Sequence, residues 1–193
     1  MATRTFNLPN LLTYARILAV PLLVVCFFWG GSFDASDNAR WWALGIFVIA
    51  SITDYLDGYL ARAWQQTSTI GRMLDPIADK LLVAACLLLL AAGETIKGWS
   101  LWAAIIILCR EILVSGLREY LAELKVSVPV TQLAKWKTTL QMIAVAFLLA
   151  GPAGDKLMPY MTEIGIAALW ASAIVTLYTG YDYFRAGLRH FPD

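Results

Sequence analysis

The chain has 193 residues, of which 60% are hydrophobic and only 15% charged. Soluble domains carry about 25% charged residues, so the composition excludes a water-soluble globular protein and points to an integral membrane one. The formal net charge of +1 gives no electrostatic footprint for nucleic acid, and no nucleic-acid partner is expected.

Apolar windows of roughly 20 residues predict an all-α protein with six membrane-spanning helices, near 8–29, 39–63, 73–92, 98–121, 132–150 and 159–184. Asn7-Leu8-Pro9-Asn10 reads as the start of the first. Its apolar run continues to Trp29 without a small-residue cleavage site, so it is expected to be a retained span and not a signal peptide. Gly30-Gly31, Gly93, Pro129 and Gly151-Pro152 punctuate the remainder. Connections this short leave no room for a soluble domain, and 1–193 reads as one membrane domain. The three cysteines, Cys26, Cys86 and Cys109, fall inside apolar runs and are not spaced for a metal, which predicts core thiols. Trp29, Trp41, Trp42 and Trp99 fit the outer aromatic belt.

With six spans, the N-terminus, the connections 63–72 and 122–131 and the C-terminus share one side. That side carries or borders Arg4, Arg62, Arg72, Arg118, Lys125, Lys135, Lys137, Arg185 and Arg189. The other has Arg40, Lys97 and Lys156. The positive-inside rule then places both termini in the cytoplasm.

Between the apolar runs Trp41–Ile52 and Leu81–Ala92 stand four carboxylates, Asp54, Asp57, Asp75 and Asp79. On a helix turning ~100° per residue, Asp54 and Asp57 share a face, as do Gly71, Asp75 and Asp79. An Asp deep in a membrane helix costs roughly 2.5–3.5 kcal/mol, so a cation is needed to compensate. Arg62, Arg72 and Lys80 are near in sequence. Hard divalent ions, Mg²⁺ or Mn²⁺, prefer carboxylate oxygens and are shared with substrate phosphates, and two of them between facing acids suit a phosphoryl displacement. Gly58 and Gly71 permit close approach of a nucleotide or pyrophosphate, and the fork of Arg62 suits phosphate. Two plainer readings stand beside this one: acids paired with Arg and Lys at a helix hairpin, and Asp75-Pro76 as a helix N-cap with Pro at the first position.

The pattern D-x-x-D-G-x-x-A-R-x(8)-G-x(3)-D-x(3)-D, running from Asp54 to Asp79, resembles the signature of the CDP-alcohol phosphotransferase family without a departure. The resemblance implies six membrane helices, a homodimer and a two-metal site built by Asp54, Asp57, Asp75 and Asp79. It also implies Asp79 as general base and CDP binding by Asp54, Gly58, Ala61, Arg62, Gly71 and Asp75. Three further stretches look like the bacterial phosphatidylglycerophosphate synthases of that family: Asn7 to Arg16, Arg110 to Glu119, and Lys135 to Met142. Ala134 stands where a Gly is expected in that group.

This implies a transferase of the bacterial inner membrane whose site faces the cytosol. It would join CDP-diacylglycerol and sn-glycerol 3-phosphate into phosphatidylglycerophosphate and CMP. A phosphorylated acceptor needs cations beyond those that serve the CDP pyrophosphate; Arg110, Arg118, Lys135 and Lys137 are the expected set. Glu111, Ser115 and Arg118 lie within about 60° on one helix face, so Glu111 with Arg118 also reads as an internal pair. Lys135 and Lys137 lie ~200° apart, which leaves one as a surface charge. Arg16 needs a partner, either in the site or in helix packing. Other acceptors (inositol phosphate, serine, phosphatidylglycerol) and an ion-coupled transporter remain alternatives.

Overall fold

The computed structural model describes residues 8–28, 36–63, 69–123 and 132–188, with the side chains at 8, 9, 55, 57–63, 69, 70, 72, 123, 132, 134, 135 and 186–188 outside that description. Among the described residues six helices follow one another: α1 Leu8–Phe28, α2 Asp37–Ala63, α3 Thr69–Ala92, α4 Ser100–Glu123, α5 Gln132–Asp155 and α6 Met161–Leu188. Each has at least 21 residues, or about 31 Å at 1.5 Å per residue, enough to cross a ~30 Å hydrocarbon core. By length and composition three are apolar enough to cross a membrane, through Asn10–Phe28, Ser100–Ala122 and Met161–Arg185. The others are interrupted by polar residues: α2 by Arg40, Asp54 and Asp57, α3 by Asp75, Asp79 and Lys80, α5 by Lys135, Lys137 and Gln141.

α1 packs on α2 and α3, α2 on α5, α5 along α6, and α6 on α4; α3 makes lighter contacts with α4 and α5. Leu23, Phe27, Phe47, Leu82, Leu90, Ile107, Leu148 and Leu169 fill the interior. Large apolar side chains also face outward, among them Leu18, Ile49, Leu88, Leu113 and Ile174. In water such a surface would be a liability; against lipid tails it is the required one. Trp42 and Trp99 are exposed at helix ends, consistent with interfacial residues, while Trp29 lies outside the described residues.

Three sequence expectations change. α3 begins at Thr69 and carries Pro76 in its interior, so Asp75 is not an N-cap: the helix already has a turn and a half before it. α5 passes the expected stop because Gly151 adopts φ 43°, ψ −130° and Pro152 restarts the helix to Asp155. A Cβ at Gly151 would stand 2.8 Å from Nη1 of the buried Arg40, whose Nη2 donates to Thr95 Oγ1 at 3.0 Å and whose guanidinium lies over the Phe27 ring. Cys109 is exposed and not a core thiol, whereas Cys86 is buried and Cys26 intermediate. Cys109 lines an apolar groove of about 780 Å³ between α4 and α6, a face the sequence pattern could not separate from the interior.

Candidate functional site

α1 carries a polar stripe at every third position, Asn10, Thr13 and Arg16, each buried in an otherwise apolar helix. Three-residue spacing keeps such groups on one face, and that face meets the acids. Thr13 Oγ1 donates to Asp75 Oδ1 at 2.6 Å. Arg16 Nη1 lies 2.8 Å from Asp54 Oδ1 and 2.6 Å from Asp79 Oδ1. Two carboxylates from different helices thus share one guanidinium nitrogen. The Arg16 side chain is fully enclosed, while those of Asp54 and Asp79 remain 39% and 49% exposed. The acids are anchored from behind and open in front.

Two of the four predicted acids therefore meet at Arg16, and a third, Asp75, is held by Thr13 on the same face of α1. Asp57 belongs to the same helix as Asp54, one turn on; its side chain, with those of Gly58, Ala61 and Arg62, lies outside the described residues. Gly71 is buried one turn before Asp75. Among the described residues no group of three or more carboxylate, histidine or cysteine side chains is placed to hold a metal ion. Among the described contacts, Arg16 serves Asp54 and Asp79 with one positive charge, and Asp75 is met by a neutral hydroxyl. The donors are hard oxygens with exposed faces, the chemistry that suits Mg²⁺ or Mn²⁺ shared with a substrate phosphate.

A second polar cluster joins α4, α5 and α6. Glu111 pairs with Lys137, and Arg110 Nη1 lies 3.2 Å from the same carboxylate oxygen. Arg110 also donates from Nε to Thr176 O and from Nη2 to Thr179 Oγ1, each at 3.1 Å. Gly180 permits this, because a Cβ there would lie 3.1 Å from Arg110 Cγ. Arg118 does not pair with Glu111; it donates to Tyr183 OH at 3.2 Å and stacks over that ring. Lys137 is buried and faces this cluster, while Lys135 and Ala134 have side chains outside the described residues. Buried atoms here include Gln141 Oε1 and Thr176 Oγ1, neither with a partner among the described residues.

Residues 6–178 match the sequence profile described as CDP-alcohol phosphatidyltransferase. The chain belongs to that family. Among curated relatives, the CDP-diacylglycerol–glycerol-3-phosphate 3-phosphatidyltransferase of Rickettsia bellii is 45% identical over 185 residues, covering 96% of this chain and 97% of the relative. The protein of the same name from Salmonella choleraesuis is 39% identical over 190 residues, covering 97% and 98%. That of Cereibacter sphaeroides is 37% identical over 221 residues, again covering 97% and 98%. The family match takes in the acidic signature and the cluster residues Arg110, Glu111, Arg118, Lys137 and Thr176.

Sequence reasoning found the acids because charge inside an apolar run is conspicuous. It left Arg16 open between two roles and gave Thr13 none. The i, i+3, i+6 spacing of Asn10, Thr13 and Arg16 was the available signal. Nothing local in α6 marked Thr176, Thr179 and Tyr183 as partners of the α4 arginines, since these are hydroxyls in an apolar helix and their role is set by packing.

Proposed function

We propose that this family member is an integral membrane transferase that moves the phosphatidyl group of CDP-diacylglycerol onto sn-glycerol 3-phosphate, releasing CMP and phosphatidylglycerophosphate. The observation that carries this is the convergence of Asp54 and Asp79 on Arg16, with Asp75 held by Thr13; the names of relatives matching nearly the whole chain supply the substrates. Asp54, Asp57, Asp75 and Asp79 would hold two divalent ions. Such ions, when bound, neutralise the pyrophosphate and the departing CMP.

The other groups act as follows. Arg16 fixes Oδ1 of Asp54 and Asp79, so neither carboxylate swings. Thr13 does the same for Asp75. Gly58, Ala61, Arg62 and Gly71 receive the CDP moiety, with small residues admitting it and Arg62 taking phosphate. Asp79 accepts the proton of the acceptor hydroxyl; that oxygen bonds to the diacylglycerol-bearing phosphorus, and the bond from this phosphorus to CMP breaks. Arg110, Arg118, Lys135 and Lys137 provide the positive field for the acceptor phosphate. The positive-inside reading puts the opening and both termini on the cytosolic face of the bacterial inner membrane, and the working unit is a homodimer.

The test is CMP release by purified protein given CDP-diacylglycerol and a panel of acceptors. Glycerol 3-phosphate should be used fastest. Faster use of serine or free inositol would overturn the acceptor assignment, and transport without CMP release would overturn the chemistry.

A further inference from the structure

The cations near the acceptor cluster are not equivalent. Arg110 spends Nε, Nη1 and Nη2 on Thr176 O, Glu111 and Thr179. Lys137 is buried against Glu111. These two are held as struts between α4, α5 and α6, and pulling either away would break an ion pair with Glu111. Lys80 differs. It follows Asp79 directly, about 100° further round α3, and its ammonium meets the neutral hydroxyl of Ser115 on α4. Among the described residues it has no carboxylate partner, and it is only half-buried. Ser115 lies on the α4 face shared by Glu111 and Arg118, four residues after one and three before the other.

α3 therefore turns an acid toward α1 and α2 and a cation toward α4. Arg110, Arg118 and Lys137 around Glu111 carry an excess of two positive charges, and Lys80 reaches the same α4 face at Ser115. A cation in an apolar environment without an anion is costly, and a dianionic phosphate arriving from water supplies the missing charge. Lys80 follows the base in the chain and meets α4 through Ser115, so an acceptor whose hydroxyl is at Asp79 can reach it with its phosphate.

From this we propose that Lys80 binds the phosphate of the acceptor and sets the preference for a phosphorylated alcohol, with Ser115 aiming its ammonium. The proposal rests on the transferase reading above and deepens it. A three-donor ammonium on a flexible stem suits a tetrahedral phosphate approached from one side.

The experiment measures KM for both substrates through CMP release by the purified full chain, in the wild type and in Lys80→Gln, Lys80→Met and Lys80→Arg. Lys80→Gln removes the charge while keeping a side-chain donor facing Ser115. Lys80→Gln and Lys80→Met should raise KM for glycerol 3-phosphate about 10- to 100-fold, the scale of one lost charged hydrogen bond. KM for CDP-diacylglycerol should stay within about twofold, and Lys80→Arg should recover most of the loss. Inhibition by inorganic phosphate, competing with the acceptor, should weaken in the same proportion. An unchanged acceptor KM in Lys80→Gln, a rise in both KM values together, or a fall in kcat alone would overturn the assignment. Failure of the underlying reading shows earlier and separately, in a wild type that prefers an unphosphorylated acceptor; that result also removes the role given to Lys80.

Discussion

The two halves of the bundle solve the problem of buried charge in opposite ways. In α1 to α3 the acids outnumber the cation that anchors them, and Asp54 and Asp79 keep 39% and 49% of their side chains open. In the cluster joining α4 to α6, Arg110, Arg118 and Lys137 outnumber Glu111, and the central ion pair is closed: Lys137 and Glu111 side chains are 7% and 19% exposed. An excess of carboxylate with an open face invites metal and pyrophosphate. An excess of cation around a closed pair invites an anion at its edge. On the proposed reaction the donor belongs to one half and the acceptor to the other, with α3 facing both.

The largest effect that would break this division lies in the acidic half. Asp54→Asn or Asp75→Asn should abolish CMP release while the protein still folds, because a neutral amide keeps the contact with Arg16 or Thr13 but loses its hold on a cation. Exhaustive chelation should do the same to the wild type, and full turnover after chelation would remove the metals from the account. Asp79→Asn should follow, lowering turnover about 10²- to 10⁴-fold, the range of a placed general base. Pre-steady-state kinetics should show the chemical step slowed more than CDP-diacylglycerol binding. Near-normal turnover of that variant at neutral pH would mean that another group takes the proton.

In the basic half the expected loss is of stability before activity. Glu111→Gln leaves Arg110 and Lys137 enclosed without their carboxylate, a change that costs about 3–5 kcal/mol for a buried pair. Thermal unfolding in detergent should show a large drop in midpoint, and an unchanged midpoint would mean the pair is solvated and not a strut.

The smallest effect sharpens the contrast by leaving both halves untouched. Asp155 accepts from Thr162 N at 2.9 Å and from Thr162 Oγ1 at 2.5 Å, fastening the start of α6 beyond the Gly151 break. Those hydrogen bonds hold its carboxyl below the ordinary carboxylate value. The contribution is therefore present above an unfolded pKa of about 3.9 and fades as pH falls through the lower folded value. Asp155→Asn should cost about 1 kcal/mol at neutral pH, as lost caps do. Its difference from wild type should shrink in acid, with turnover at neutral pH unchanged.

The sequence made six helices legible because each needs about 20 apolar residues, and it made the acids legible because charge there is expensive. It missed what depends on which helices touch. Asp75-Pro76 looked like a helix start by local chemistry, yet α3 begins at Thr69 and tolerates the proline. Glu111 and Arg118 share a face, yet Glu111 turns to Lys137 of α5 and Arg118 to Tyr183 of α6. Periodicity tells which residues share a face; only packing tells what that face meets.

The division between halves is tested most directly by measuring two ligands on two variants by calorimetry: CDP with a divalent ion, and glycerol 3-phosphate, on Asp75→Asn and Arg118→Ala. A crossed result is expected. Asp75→Asn should lose CDP and keep glycerol 3-phosphate, while Arg118→Ala should keep CDP and bind glycerol 3-phosphate about 10- to 100-fold more weakly, with Arg118→Lys recovering only part because it lacks the bidentate fork. Loss of both ligands in either variant, or loss of glycerol 3-phosphate in Asp75→Asn alone, would contradict it.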